Sequence, residues 1–122
     1  MSATKLILAA AALLVAGAAG AGTSGDPAKG QAVFEDRCTL CHAPGGGQGP
    51  SLKGVVGRKA GSLPGFAYSA ALAGSGIVWS EASLNAFLSD PAKLVPGTAM
   101  RVIVPDGDER RDLVAYLASL RP

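Results

Sequence analysis

The sequence predicts an all-α domain of about three main helices connected by long loops. Three stretches carry a helix-capping residue followed by apolar side chains at helical spacing, and no convincing stretch alternates as a strand would. The 17 glycines and 8 prolines indicate that loops make up much of the remainder. A chain of 122 residues has room for one domain and little more.

The first predicted helix runs from about Pro27 to Arg37. Asp26 is a favourable N-cap and Pro27 suits the first helical position, where its missing N–H costs nothing. Gly30, Phe34 and Cys38 follow one another at intervals of four residues, so they fall on one face. The helix therefore delivers Cys38 at its end.

The second predicted helix begins at Ser80-Glu81, after a loop predicted over residues 43–65. Its apolar residues Leu84, Phe87 and Leu88 follow the i, i+3, i+4 spacing of a buried helix face. The dipeptide Asp90-Pro91 ends it, because the residue before a proline is disfavoured in a helix.

The third predicted helix begins at Asp106, with Glu109 three residues later as a possible capping box. An apolar stripe then reaches the end of the chain through Leu113, Tyr116, Leu117 and Leu120. This stripe predicts a terminal helix that packs on the others.

The first two dozen residues have the layout of a secretory signal peptide. Lys5 is the one charged side chain before Gly22, and Leu6–Val15 is continuously apolar. Small residues favour cleavage after Ala21, with Ala18 as the alternative. We therefore predict a leader over residues 1–21, a mature domain over residues 22–122, and export to the periplasm. An uncleaved membrane anchor is the competing interpretation, but the apolar run is shorter than the roughly 20 residues that a membrane-spanning helix needs.

Cleavage after Ala21 would leave 101 residues and, without Lys5, lower the net charge from +2 to +1. So weak a charge does not indicate a nucleic-acid partner. A domain of this size has a marginal core of its own, so some further group is expected to organise the loops.

Cys38-Thr39-Leu40-Cys41-His42 is the motif that identifies such a group. On one helical turn, residues i and i+3 share a face and residue i+4 lies beside them. Two thiols so placed can add to the two vinyl groups of a haem, and the imidazole of His42 can then bind the iron. The C-x-x-C-H pattern is typical of c-type haem attachment.

Three other interpretations of the two cysteines remain open at this point. A thioredoxin-like redox pair usually lies in an α/β fold, which the pattern here does not predict. A zinc site needs four ligands, and carboxylates would have to complete it. A disulfide across so short a loop would constrain little of the unfolded chain.

Met100 is the one methionine outside the predicted leader. It follows Pro96-Gly97, in a loop between the second and third helices, whereas a methionine that fills a core gap would lie on a helical stripe. His42 is the single histidine, so two-histidine ligation is impossible and the Met100 thioether is the obvious second ligand.

The chain from about residue 26 to residue 120 resembles a class I c-type cytochrome of the mitochondrial and bacterial kind. The matching segments, in order, are Gly30, Phe34, CTLCH, GPSL, GRKAG, PGFAYS, Trp79, DPAKLVPGTAM and DLVAYL. The resemblance implies an all-α fold wrapped around one covalently bound haem c. It also implies axial ligation of the iron by His42 and Met100.

The resemblance further implies roles for five residues around the haem. The Pro50 carbonyl would accept a hydrogen bond from the His42 ring and orient it. Arg58, Tyr68 and Trp79 would hydrogen-bond the haem propionates, with Thr98 near them. Gly30 and Phe34 would pack against Tyr116 and Leu113, where the first and last helices cross.

These features predict a monomeric electron carrier, not an enzyme, that exchanges electrons with redox proteins such as a quinol-oxidising bc-type complex, a terminal oxidase or a periplasmic dehydrogenase. An iron with two protein ligands has no open position for a substrate. Two alternatives are a haem subunit of a larger dehydrogenase or oxidase and a ligand-binding haem protein such as a peroxidase or gas sensor. The second would need a labile or absent sixth ligand.

Overall fold

The computed structural model describes residues 25–43 and 47–122, and it contains five helices in this part of the chain. They are α1 (Pro27–Arg37), α2 (Ala70–Ala73), α3 (Glu81–Ser89), α4 (Pro91–Leu94) and α5 (Gly107–Ser119). The three long helices confirm the prediction of an all-α domain with three main helices. The predicted leader and its cleavage site lie outside the described residues.

Local capping determines where α1 begins, as the sequence predicted. The Asp26 carboxylate accepts hydrogen bonds from the backbone N–H groups of Ala28, at 2.9 Å, and Lys29, at 3.4 Å. Pro27 is the first helical residue, and the helix ends at Arg37 with Cys38 as its C-cap. The predicted bounds of this helix are confirmed.

Ser80 caps the beginning of α3, and Asp90 caps its end. Ser80 and Ser83 form a reciprocal capping box, in which each side chain accepts from the other residue's backbone N–H. Asp90 ends α3 and is also the N-cap of α4, where its carboxylate accepts from the Lys93 N–H at 3.3 Å. The predicted stop at Asp90-Pro91 is therefore also the start of a short helix.

At the start of α5, Asp106 caps the helix but Glu109 does not complete the predicted capping box. The Asp106 carboxylate accepts from the N–H groups of Asp108 and Glu109, each at 2.9 Å. The Glu109 carboxylate instead lies 3.1 Å from the Arg37 guanidinium of α1. A cation on the neighbouring helix is a better partner for this carboxylate than a backbone N–H of its own turn.

The crossing of α1 and α5 forms one side of the domain. A Cβ atom at Gly30 would overlap the backbone of Asp112 and Leu113, so only glycine permits this approach. The Phe34 and Tyr116 rings pack with their centroids 5.3 Å apart. The predicted packing of the first and last helices is thus confirmed.

The buried face of α3 forms a second side. It carries Leu84, Phe87 and Leu88, as the spacing predicted. The Phe87 ring packs on Trp79 with centroids 5.1 Å apart. The described part of the predicted 43–65 loop contains no helix or named strand, although Lys59 forms an isolated antiparallel bridge with Val78. Within residues 25–43 and 47–122, no helix has the length and apolar character needed to cross a bilayer.

Candidate haem-binding site

The helices and loops enclose a cavity of about 470 Å³, and every residue predicted for the site lines it. These residues come from the turn after α1, from the loops that follow it and from the segment between α4 and α5. They are Cys38, Cys41, His42, Pro50, Arg58, Tyr68, Trp79, Thr98 and Met100. The structure therefore brings together groups that the sequence separates by up to 62 positions.

The turn that follows α1 presents the two cysteines and the histidine. The backbone N–H groups of Cys41 and His42 donate to the Cys38 carbonyl at 3.2 and 2.8 Å, so all three residues belong to one compact turn. The two cysteines are not joined to each other by a disulfide, and Cys38 is buried while Cys41 is half-buried. Burial raises the pKa of the Cys38 thiol to about 11, with Arg37 opposing the shift and Cys41 adding to it. This environment suits a neutral sulfur, as in a thiol or a thioether.

The His42 ring is held on two sides. Its Nδ1 lies 2.8 Å from the Pro50 carbonyl oxygen. A carbonyl can only accept, so Nδ1 carries the hydrogen and the lone pair is on Nε2. A Cβ atom at Gly49 would lie 2.6 Å from Cε1 and 2.7 Å from Nδ1, so the glycine backbone packs closely against the ring. The arrangement fixes both the tautomer and the orientation of the imidazole.

Met100 lies in an irregular segment between α4 and α5. Gly97 adopts φ of +90° in the turn that precedes it, a conformation that favours glycine. The Thr98 N–H donates to the Val95 carbonyl at 3.0 Å, and the Met100 N–H donates to the Thr98 hydroxyl at 3.4 Å. The Met100 side chain is partly buried against the hydrophobic core and faces the cavity.

A set of hydrogen-bond donors lines part of the cavity. Arg58 Nη1 and Nη2 donate to the carbonyls of Lys53, at 3.1 Å, and Ser51, at 2.9 Å, which leaves three of the five guanidinium hydrogens for other acceptors. The Tyr68 hydroxyl accepts from the Leu63 N–H at 3.2 Å, so its own hydrogen remains available. Trp79 can only donate from its side chain.

The charges around the cavity favour an anion. Among the described residues, the lining includes Arg37, Arg58 and Arg101 and no aspartate or glutamate. The Arg37 guanidinium pairs with Glu109, so Arg58 and Arg101 supply the positive charge that is left for an anion. Apolar side chains form much of the remaining wall, chiefly Leu52, Leu84, Phe87, Leu88, Leu113 and Leu117. An apolar cavity with several donors fits a ligand that has a flat apolar body and carboxylate groups, as haem does.

Two groups of lining residues were not assigned to the site from the sequence. Gly49 was part of a matching segment, but its contact with His42 depends on the fold of a loop. The leucine stripes of α3 and α5 predicted burial, and the structure shows that part of what they face is this cavity. A helical stripe indicates burial without showing what covers it.

Comparisons with known proteins agree with this geometry. The family model described as Cytochrome c matches residues 27–121. A cytochrome c2 of Rhodomicrobium vannielii is 43% identical over 98% of this chain and 97% of that one. A cytochrome c2 of Rhodopila globiformis is 44% identical over 84% of this chain and 100% of that one. The solved structure of cytochrome cH from Methylobacterium extorquens has a TM-score of 0.74 and 45% identity, and covers 78% of this chain and 99% of its own.

A helical domain around a cavity that carries a C-x-x-C-H turn defines a c-type haem protein. The chain belongs to the cytochrome c family, with the class I fold that the sequence predicted. It carries one haem c, bound covalently through Cys38 and Cys41. Members of this family are electron carriers.

Proposed function

We propose that this protein is an exported electron carrier whose haem iron is bound by His42 and Met100. The observation that carries the proposal is that both side chains line one cavity. The Pro50 carbonyl engages Nδ1 of His42 at 2.8 Å, which leaves Nε2 as the ligand atom. Met100 supplies a thioether, a soft ligand suited to haem iron.

The two side chains together favour electron transfer over catalysis. Haem c supplies a one-electron couple when it is bound. With His42 and Met100 in both axial positions, oxygen or a substrate would have to displace a protein ligand. Methionine ligation also raises the reduction potential relative to ligation by two histidines, and the apolar wall of the cavity disfavours the extra charge of the ferric state.

The donors in the cavity would hold the haem carboxylates. Arg58 supplies a charged fork, while Tyr68, Thr98 and Trp79 supply neutral donors. Several of these groups already contact neighbouring backbone, so their positions are determined before the carboxylates bind. Preorganised donors reduce the entropy that binding would otherwise cost.

The N-terminal sequence supports export to the periplasm. Residues 1–21 have the charge and apolar pattern of a cleaved leader, with cleavage expected after Ala21. The match to the Rhodomicrobium relative extends over 98% of this chain, which is possible only if it includes most of that segment. The mature domain would then occupy residues 22–122.

We expect the monomer to exchange electrons with a quinol-oxidising bc-type complex, a terminal oxidase or a periplasmic dehydrogenase. Leu40 lies between the two cysteines and is 90% exposed. We propose that this exposed leucine, beside the haem attachment site, offers an apolar contact to a partner.

Absorption spectroscopy of the purified holoprotein tests the axial ligands. The ferric protein should show the weak far-red band that reports iron–thioether ligation. The ferrous protein should resist carbon monoxide. A missing band, together with rapid carbon monoxide binding, would indicate an open or labile sixth position and would contradict the proposal.

Fractionation and stopped-flow kinetics test the location and the partners. N-terminal sequencing of protein from the periplasmic fraction should begin at Gly22. Membranes that contain a terminal oxidase should oxidise the reduced protein within seconds. Membranes that lack the oxidase should leave it reduced. Recovery only as a subunit of a stable larger complex would favour the subunit alternative.

A further inference from the structure

Arg110, on the first turns of α5, connects three parts of the chain outside the haem cavity. Its Nη1 donates to the carbonyl oxygens of Val104, at 2.8 Å, and Pro105, at 2.9 Å. Its Nε donates to the Asn85 side chain of α3 at 3.1 Å. One guanidinium therefore ties α5, α3 and the residues before α5 together.

Val104 is the point at which the chain after Met100 rejoins the core. Its side chain is fully buried, and its N–H donates to the Leu88 carbonyl at the end of α3, at 2.9 Å. Leu88 in turn lines the haem cavity. The carbonyl of this same buried residue is the one that Arg110 holds.

Between Thr98 and Val104 the chain has little support of its own; we name residues 98–104 the Met100 segment. Within the described residues, the one hydrogen bond to the backbone of residues 99–103 is the 3.4 Å contact between the Met100 N–H and the Thr98 hydroxyl. Met100 is partly buried, and the other four residues between positions 99 and 103 are exposed. The position of Met100 thus depends on the two ends of the segment.

We infer that Arg110 is a positioning residue for Met100, acting through the Val104 end of the Met100 segment. The inference rests on the proposed axial role of Met100. The Arg110 guanidinium donates to two backbone carbonyls and to the Asn85 side chain. Water molecules in its place would not connect these groups to one another, so the Val104 end of the Met100 segment would become more mobile. A looser end raises the fraction of molecules in which Met100 has left the iron, and an external ligand binds only to that fraction.

The test is a titration of the ferric holoprotein with imidazole, followed by loss of the far-red band. Arg110→Ala should lower the imidazole concentration for half-saturation by about tenfold, because the released fraction rises with the loss of a charged hydrogen-bond network. Arg111→Ala is the matched control. It makes the same charge change one residue later, where the side chain is exposed and pairs with Asp108 of its own helix at 3.3 Å. Its half-saturation concentration should stay within about twofold of the wild type.

A second variant keeps the inference testable if Arg110→Ala fails to fold. Asn85→Ala removes only the 3.1 Å contact to Nε, and it should lower the half-saturation concentration by about threefold. A lower melting temperature with unchanged imidazole affinity in both variants would show that Arg110 serves stability alone, and would overturn the inference. A wild type without the far-red band would instead refute the axial role of Met100, and with it the proposed function.

Discussion

The segment that carries His42 and the segment that carries Met100 face the same cavity but are held differently. On the histidine side, the His42 N–H and its ring Nδ1 each form a hydrogen bond of 2.8 Å, and Gly49 packs on the ring. On the methionine side, the backbone N–H of Met100 has one hydrogen bond of 3.4 Å, and its neighbours are exposed. One proposed ligand is fixed locally and the other through the ends of its segment.

This difference predicts which side of the site opens first. Segments with few hydrogen bonds and exposed residues have the lowest free energies of local opening. The histidine side also carries the covalent attachment at Cys38 and Cys41, which cannot dissociate. We therefore expect Met100 to leave the iron well before any change occurs around His42.

The largest expected effect comes from removing the covalent attachment. Cys38→Ala combined with Cys41→Ala should give a haem-free and largely unfolded chain, because an empty cavity of about 470 Å³ would leave the apolar faces of α3 and α5 without a partner. Far-ultraviolet circular dichroism measures the loss of helix. A cooperative, native-like melt of the haem-free protein would contradict the prediction.

Replacing Met100 should affect the other side of the site and leave the fold intact. In Met100→Ala the haem stays attached, the far-red band disappears, carbon monoxide binds the ferrous protein, and the reduction potential falls because the ligand that favours ferrous iron is gone. Ile103→Ala truncates an exposed neighbour that does not line the haem cavity, so it is the control and should keep the band. If Met100 only filled the core, its loss would cost about 2–5 kcal/mol of stability with an unchanged spectrum and potential.

On the histidine side, Gly49→Ala should displace the His42 ring without freeing a ligand position on the iron. The new Cβ would lie 2.6 Å from His42 Cε1, so the ring or the loop must move, at a cost of about 1–3 kcal/mol in unfolding free energy. Gly107→Ala is the matched control, since its Cβ would meet its nearest neighbour at 3.6 Å. Denaturant unfolding and the NMR signals of the His42 ring measure the effect. Equal stability of the two variants would show that the loop around Gly49 adapts freely.

Local sequence rules predicted the long helices well because each of them begins with its own cap. Asp26, Ser80 and Asp106 all cap the helices expected of them. The four-residue helices α2 and α4 were missed, since one turn is too short to show a helical period. The sequence predicts only a helix stop at Asp90-Pro91, although the same residues that end α3 also begin α4.

The site was predictable to the extent that its groups carry distinctive chemistry. Cys38, Cys41 and His42 share one motif, and Met100 stood out as the one methionine beyond the leader; the structure places all four on one cavity. Contacts between distant loops left no such signal. Arg110 reaches an Asn85 that lies 25 positions away, and Glu109 pairs with Arg37 on another helix, so neither contact follows from local spacing.

The smallest expected effect tests whether Arg58, which has no hydrogen bond to the His42 ring, helps to hold that ring in place. Arg58 donates to the Ser51 and Lys53 carbonyls, at 2.9 and 3.1 Å, just after Pro50. Arg58→Lys keeps the charge but offers a single nitrogen that cannot span both carbonyls, so it should cost about 1 kcal/mol of unfolding free energy. The loosened loop should also speed exchange of the His42 Nδ1 hydrogen, which NMR detects, while the far-red band that reports Met100 stays unchanged. Lys59→Ala, which removes a neighbouring exposed cation, should alter neither quantity. If Arg58→Lys weakened the far-red band and left Nδ1 exchange unaltered, the two sides of the site would not be held independently, and the order of opening expected here would be wrong.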